Sequence, residues 1–402
     1  MNKTLFKLLS VLVLIAMIAG CGGGAAQQAA QDAQKAAEEA KEQADKAAEE
    51  AQKVADEVKE QADKAVDEAQ KAAEGAKEQA EQAVDAAKDA AGAAMAANIK
   101  PIKIALILPS TINDLAWSQS MYQSLKQIQD EAGKDKVELV YTENMFKVPD
   151  AAAAIRDYAS NGYGLIIAHG AQYGDSLFEL APDFPETSFA WGTTTNTGAD
   201  KGVKNVFAYE PRGDEGGYVS GVLAAKLTKA KVIGLVGPVD AGDAKLHVDG
   251  FLAGVKAADP SVKVNVSFTG SFGDTSLAAE AANTQIKAGA DVLTGSSQQV
   301  VGAIGVAKEK NIPWLGIQAD QSPVGPEVVV TTALYDWHNL LMEMITMHQA
   351  GEMGGKVLQL TLKNGGIRMI YSDKLPKEAV DAANQAQAGL IDGSIKIVAE
   401  PR

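Results

Sequence analysis

The feature that most constrains the fold is a regular alternation of short apolar runs with longer amphipathic stretches, beginning near residue 103. The runs 103–108 and 165–168 are short and rich in Ile and Leu, which is typical of buried strands. Between such runs, stretches such as 116–132 and 245–258 have helical periodicity. Strands that alternate with helices of this length form parallel α/β sheets. About 300 residues of this pattern exceed one small sheet, so we expect two α/β lobes.

Loops at the carboxyl ends of the predicted strands mark the expected binding site, because ligands of open α/β sheets bind there. We expect these loops to converge on one cleft. They are residues 109–117, 169–175, 238–243, 270–274, 295–298 and 318–321.

The first 21 residues have the pattern of a signal peptide. A basic start at Lys3 precedes an apolar run, Leu5 to Ile18, which is shorter than the roughly 20 residues of a membrane-spanning helix. The tetrapeptide 18–21 resembles a bacterial lipobox, and Cys21 is the one cysteine of the chain. We therefore expect Cys21 to be a lipid anchor that holds the protein on the extracytoplasmic side of the cell membrane. An ordinary signal peptide with an incidental cysteine is the alternative.

Residues 22–99 form a low-complexity segment composed largely of Ala, Glu, Lys, Gln and Asp, without proline. These are mostly strong helix formers. The motif that begins at Lys41 returns at Lys59 and Lys77, a step of 18 residues, or five helical turns. The pattern predicts a helical stalk that acts as a spacer, with a self-associating coiled coil as the alternative.

Composition and motifs also exclude several classes of function. A net charge of −15 argues against nucleic-acid binding. A lone cysteine excludes an internal disulfide and cysteine-based metal sites. The chain has no Gly-x-Ser-x-Gly, His-Glu-x-x-His or Walker motif, so we expect neither an enzyme nor a cofactor. His169, at a strand end, either touches a ligand or has a structural role.

Seven segments of the globular part carry a family resemblance by their order and spacing. They are residues 113–119, 170–175, 214–225, 231–237, 250–256, 270–274 and 289–293. In these segments the chain resembles the basic membrane protein family (PnrA-like), the substrate-binding lipoproteins of certain ABC importers. The resemblance covers nearly all of residues 101–400 and implies a type I periplasmic-binding-protein fold, with two lobes and a three-stranded hinge. An ABC permease and its ATPase are the implied protein partners.

The expected solute-binding domain spans residues 100–402. Its first lobe is expected at about 100–209 with about 322–347. The second lobe is expected at about 210–321 with about 348–402.

The resemblance also implies the candidate ligand-binding residues. Trp117 and Phe272 lie where the family has two aromatic rings that sandwich a flat base, although Trp117 also suits a core position at a helix start. Asp114, Ser118 and Asp175 match positions that hydrogen-bond the base or support the site, and the first two suit helix capping equally well. The other candidates are Gln172, Tyr173, Ser296, Gln298, Gln318 and Tyr335.

Two departures from the family affect the expected ligand. Gln318 replaces an Asp that contacts ribose in the family, and Tyr335 lies where the family has a Lys. The loss of these charges makes a free purine base nearly as good an expectation as a purine nucleoside. The alternative function is a surface or sensory lipoprotein that binds another flat heterocycle, such as a flavin-type vitamin, or a different small solute.

Overall fold

The computed structural model describes residues 24–96 and 98–399. The expected signal peptide and Cys21 lie outside the described residues, so the lipid anchor stays a prediction. None of the helices in the described ranges is both long enough and apolar enough to cross a membrane.

The predicted stalk is one long helix, α1 (Gly24–Ala96), of 73 residues. Its described side chains are almost all exposed, and ion pairs one turn apart stabilise it. Lys46 lies 2.7 Å from Glu42, and Lys64 lies 2.6 Å from Glu60. Each exposed pair of this kind contributes about 0.3–0.5 kcal/mol. The helix up to Ala87 forms a compact unit separate from the chain that begins at Lys88.

The predicted alternation of strands and helices is confirmed, and its strands form two sheets. Within the described residues, one six-stranded sheet has the order β11-β5-β4-β3-β1-β2. All its neighbouring strands are parallel. Its strands are β1 (Ile102–Ile107), β2 (Val137–Thr142), β3 (Leu165–His169), β4 (Ser188–Gly192), β5 (Val206–Pro211) and β11 (Val357–Leu360).

The second sheet repeats this architecture. Its order is β12-β10-β9-β8-β6-β7, and its one antiparallel pair is β10 with β12. Its strands are β6 (Val232–Gly237), β7 (Lys263–Phe268), β8 (Val292–Gly295), β9 (Trp314–Gln318), β10 (Val329–Tyr335) and β12 (Ile367–Tyr371). Central strands such as β3 and β9 are buried at every residue, as expected for parallel strands covered by helices on both faces.

The helices of the two lobes connect these strands. They are α2 (Trp117–Ala132), α3 (Val148–Ser160), α4 (Gly174–Leu180), α5 (Gly213–Leu227), α6 (Gly242–Ala258), α7 (Thr275–Lys287), α8 (Val300–Lys310), α9 (His338–Gln349) and α10 (Lys377–Asp392). Short 3₁₀ turns lie at Ala171–Tyr173, Ala181–Asp183 and Ala199–Lys201.

The C-terminal segments divide between the lobes differently from the expectation. Strand β10 pairs with β9 and belongs to the second lobe, although 322–347 was expected in the first. Strand β11 pairs with β5 and belongs to the first lobe, although 348–402 was expected in the second. In the described chain, three connections link the sheets, after β5, β10 and β11. Which strand edge β10 or β11 pairs with depends on the tertiary structure, and the local periodicity of the sequence does not reveal it.

Helices α5 and α6 pack with their backbones in direct contact because glycines line both faces. A Cβ added to Gly221 would lie 2.2 Å from the carbonyl oxygen of Phe251, and one added to Gly254 would lie 2.1 Å from that of Tyr218. The same close approach occurs at Gly217 and Gly250. Any side chain at these four positions would force the helices apart. The glycines of the segments 214–225 and 250–256 therefore fix the α5–α6 pair of the second lobe.

Candidate functional site

A cleft of about 320 Å³ lies between the lobes, at the carboxyl ends of the strands. All six predicted loops contribute to it, so their predicted convergence is confirmed. The residues of the first lobe that line it are Pro109, Trp117, Phe146, Gly170, Ala171, Gln172 and Thr193. The residues of the second lobe are Val239, Ala241, Gly242, Asp243, Ala244, Phe272, Ser296, Ser297, Gln298 and Gln318.

The two lobes approach each other closely at the cleft. The aromatic side chains Phe146 and Phe272 are 47% and 41% exposed, and they lie on opposite lobes. A Cβ added to Gly273 would lie 3.9 Å from Cζ of Phe146, and one added to Gly242 would lie 3.4 Å from Oγ1 of Thr193. Side chains of the first lobe therefore reach the backbone of the second, and a ligand that fills the cleft would contact both lobes.

Trp117 lines the cleft as the end ring of an aromatic stack. Its ring lies 4.0 Å from the ring of His169 with 4° between the planes, and Tyr209 continues the stack at 5.9 Å. Trp337 packs edge-on against the stack, 5.5 Å from Trp117. The Trp117 indole also donates a hydrogen bond to the carbonyl oxygen of His169 over 3.0 Å. The indole plane is therefore held rigidly, with 6% of the residue exposed.

His169 is a neutral ring that packs on the face of Trp117, and it is not among the residues that line the cleft. Burial lowers its pKa to about 3, so it stays uncharged at neutral pH. Its Nε2 lies 3.0 Å from the carbonyl oxygen of Trp117, and its Nδ1 lies 2.8 Å from the Tyr209 hydroxyl. Because a carbonyl oxygen only accepts, Nε2 carries the proton and Nδ1 accepts from Tyr209. Of the two alternatives for His169, these contacts correspond to the structural role.

The second lobe supplies polar side chains to the cleft. Ser296 and Gln318 are 1% and 3% exposed, and within the described residues Ser296 Oγ and Gln318 Oε1 have no hydrogen-bond partner. Gln318 Nε2 donates to an Asp243 carboxylate oxygen over 3.4 Å. Burial raises the pKa of Asp243 to about 6. Gln298 is buried and accepts a hydrogen bond from Ser297 over 2.6 Å. Buried polar atoms without partners carry a desolvation cost, which a hydrogen-bonding ligand would relieve.

Five expected site residues do not line the cleft. The Asp114 carboxylate accepts hydrogen bonds from the backbone N–H groups of Ala116, Ser118 and Gln119 at 2.9–3.1 Å, which is the capping alternative. Ser118 Oγ accepts from the N–H of Ser110 over 3.3 Å and shapes the same loop.

The other three residues have different surroundings. The Tyr173 hydroxyl donates to the carbonyl oxygen of Met145 over 2.8 Å, and its ring is buried in the first lobe. The Asp175 side chain is 96% exposed and lies 3.7 Å from the Lys201 ammonium group. Tyr335 is buried, and its ring lies 6.5 Å from that of Trp117 in an edge-on arrangement. Asp175 and Tyr173 follow β3 directly, but the 3₁₀ turn that begins at Ala171 directs them away from the cleft.

Several residues that line the cleft are not among the residues predicted from the sequence, and three of them have side chains that matter for ligand binding: Asp243, Phe146 and Thr193. Asp243 lies within a predicted loop, but no motif of the family resemblance marks it. Phe146 and Thr193 follow β2 and β4, whose loops are not among the six predicted loops. The rule that ligands bind at the carboxyl ends of parallel strands, applied to every strand, would have found both loops.

Known proteins with similar sequences and folds include transport components. The family profile described as ABC transporter substrate-binding protein, PnrA-like (Bmp), matches residues 101–400. A purine-binding protein of Brucella abortus is 27% identical over 304 residues, which cover 76% of this chain and 84% of that protein. The ABC transporter nucleoside-binding protein BmpA of Lactococcus lactis is 25% identical over 319 residues, covering 74% and 89%. A solved ABC transporter solute-binding protein from Aeropyrum pernix has the same fold, with a TM-score of 0.65 and 19% identity over 75% of this chain and 94% of that one.

Proposed function

Because the chain belongs to the PnrA-like (Bmp) family of ABC transporter substrate-binding proteins, we propose that it binds a purine base or purine nucleoside in the interlobe cleft and delivers it to an ABC importer. The similar proteins of Brucella abortus and Lactococcus lactis are named for purine and nucleoside binding. Substrate-binding proteins of this family carry a solute to a permease and its ATPase.

The observation that carries the choice of ligand is the position of Trp117 at the end of an aromatic stack. His169 covers one face of the indole at 4.0 Å, and Trp117 lines the cleft. A planar heterocycle bound on Trp117 would extend the stack by one ring. Base–aromatic stacking contributes about 1–3 kcal/mol per base and tolerates different bases. A rigid indole loses little conformational freedom when the ligand binds, so most of this energy is available for affinity.

The size and lining of the cleft favour a small planar ligand. A volume of about 320 Å³ lies at the lower end of the roughly 300–1,000 Å³ that ligand pockets span. Phe146 and Phe272 are the other aromatic residues among those that line it. In the proposal, Phe272 covers the second face of the base, and the amides of Gln172 and Gln298 bind its polar edges.

Isothermal titration of the purified protein with purine bases and purine nucleosides tests this proposal, with riboflavin as the competing flat heterocycle. Trp117→Ala should abolish binding, and Phe272→Ala should weaken it by about 5- to 50-fold, the equivalent of about 1–2 kcal/mol. Phe268→Ala is the matched control, because Phe268 is 38% exposed, is close in sequence to Phe272 and does not line the cleft. Phe272→Ala also guards against a folding defect, since this side chain is half-exposed. Failure of every purine to bind, or equal affinities of the two Phe variants, contradicts the proposal.

The proposal also includes the N-terminal segment. Residues 1–21 direct export, Cys21 carries the acyl chains, and helix α1 acts as a spacer whose 73 residues are about 110 Å long at 1.5 Å per residue. Cys21→Ser should abolish incorporation of radiolabelled palmitate and move the protein from the membrane fraction to the soluble extracytoplasmic fraction. Unchanged membrane retention of this variant would refute the anchor.

A further inference from the structure

A hydrogen bond crosses directly from one lobe to the other at Gln321. This residue lies in the loop after β9 of the second lobe, and its Nε2 donates to the carbonyl oxygen of Leu115 over 3.2 Å. Leu115 lies in the loop after β1 of the first lobe, two residues before Trp117. Neither Gln321 nor Leu115 is among the residues that line the cleft, so this bond does not involve a contact with the ligand.

The amide of Gln321 is held in position by its own lobe. The residue is fully buried, its Oε1 accepts a hydrogen bond from the Trp314 indole over 2.8 Å, and its Nε2 donates to the carbonyl oxygen of Ile317 over 3.1 Å. An indole N–H only donates and a carbonyl oxygen only accepts, so these two bonds fix the orientation of the amide. The second hydrogen of the NH₂ group is then directed at Leu115. An amide that is already ordered loses little conformational freedom when the lobes meet.

The first lobe holds the Leu115 carbonyl group equally firmly. Leu115 has a φ of 56°, in the left-handed region that residues other than glycine rarely adopt. Its N–H donates to Oε1 of Gln119 over 2.9 Å, and the next N–H, that of Ala116, donates to the Asp114 carboxylate over 2.9 Å. These bonds lie on either side of the Leu115 carbonyl and fix its direction. The donor and the acceptor of the bond between the lobes are therefore both ordered before they meet.

We propose that Gln321 is a positioning residue that latches the two lobes in their closed arrangement through its bond to Leu115. When the lobes separate, both groups exchange this bond for bonds to water, so the latch contributes the net strength of one hydrogen bond to closure. A hydrogen bond of ordinary net strength changes the ratio of closed to open molecules by about 2- to 12-fold. The latch acts on the lobes themselves and does not depend on which solute the cleft binds.

Electron paramagnetic resonance distance measurements on the full-length protein test the latch. Nitroxide labels are attached at Asp150→Cys in α3 and Glu280→Cys in α7, two exposed positions on opposite lobes, with Cys21 replaced by Ser. Gln321→Met keeps the side-chain volume but removes the amide, and it should lower the ratio of closed to open molecules by about 2- to 12-fold, with and without inosine. Stopped-flow kinetics should show inosine dissociating faster by a similar factor, while its association rate changes by less than about twofold.

Gln285→Met is the matched control for the loss of a buried amide. Gln285 is 3% exposed in the same lobe, and its amide donates to the Ser267 hydroxyl of that lobe over 2.6 Å. Its replacement should leave the ratio of closed to open molecules unchanged. Gln119→Met, on the surface of the other lobe, releases the Leu115 N–H and should shift the ratio in the same direction as Gln321→Met. Combined with Gln321→Met it should add no further shift, because the two substitutions disable one bond.

Three results would overturn the latch. They are distance distributions that Gln321→Met leaves unchanged, an equal shift in Gln285→Met, and a wild-type protein that stays open with and without inosine. A purely structural role of Gln321 would lower stability without moving the ratio of closed to open molecules. If inosine and the other purines fail to bind, the proposed function fails, and the distance distributions of the ligand-free protein still decide whether the latch exists.

Discussion

Replacement of Asp243 by Asn should stabilise the protein, and by an amount that depends on pH. Burial is the largest influence on the Asp243 carboxyl and raises its pKa from 3.8 to about 6. Hydrogen bonds from the backbone of Ala244 and the side chain of Gln318 act in the opposite direction, and the charge of Glu210 raises the pKa further. The folded protein therefore binds a proton at this site more tightly than the unfolded chain does.

The sign and size of the effect follow from this difference. Between pH 4 and pH 6 the folded state holds the proton and the unfolded state does not, so stability falls as pH rises. One pKa unit corresponds to about 1.36 kcal/mol, so the ionised carboxylate costs about 3 kcal/mol at pH 7.5 and about 1 kcal/mol at pH 4.5. Asn carries no charge at either pH. The stability advantage of Asp243→Asn should therefore grow by about 2 kcal/mol between these two pH values.

Urea unfolding followed by tryptophan fluorescence at pH 4.5, 6.0 and 7.5 measures this advantage. All four tryptophans lie beyond residue 100, so the signal reports the lobes and not the long helix. Asp175→Asn is the control, because the Asp175 side chain is 96% exposed and its replacement should change the stability only slightly. An advantage of Asp243→Asn that is the same at the three pH values would refute the reasoning from burial.

Three further substitutions test the packing of the lobes by the same urea unfolding assay. Gly221→Ala should destabilise the protein by about 1–3 kcal/mol, because the new Cβ would lie 2.2 Å from a backbone carbonyl oxygen of α6. Gly305→Ala, in α8 with no atom within 4 Å of the new Cβ, should instead stabilise the protein by about 0.5–1 kcal/mol. Stability changes of the same sign in the two variants would contradict the packing argument. Tyr209→Phe removes the hydroxyl that lies 2.8 Å from the buried Nδ1 of His169 and should cost about 1–3 kcal/mol, and a cost below about 0.5 kcal/mol would contradict a buried hydrogen bond between these two groups.

The strand ends could be predicted from the sequence because their signal is local. A buried parallel strand reads as a short apolar run, and the residues that follow it must lie at one edge of the sheet. This reasoning found the cleft loops that contain Trp117, Phe272 and Gln318. Phe146 and Thr193 follow β2 and β4, and the same rule applied to these two strands also predicts their loops.

The direction of individual side chains was less predictable. Tyr173 and Asp175 are in the correct loop, but a single 3₁₀ turn determines that one side chain enters the core and the other faces solvent. Asp114 and Ser118 hold their own loop by hydrogen bonds to backbone N–H groups. A short polar side chain at a helix start can bond either to nearby backbone N–H groups or to a ligand, and the local sequence does not decide between these two roles.

The sequence by itself determined the long helix, the alternation of strands and helices, the family and the edge of the sheets at which the site lies. Each of these depends on periodicity or spacing along the chain, which is a local property. The tertiary structure alone decided that β10 and β11 exchange lobes, that His169 supports Trp117, and that Asp243 meets Gln318. These outcomes depend on contacts between residues that are distant in the chain, and such contacts exist only after the sheets have formed and the lobes have packed.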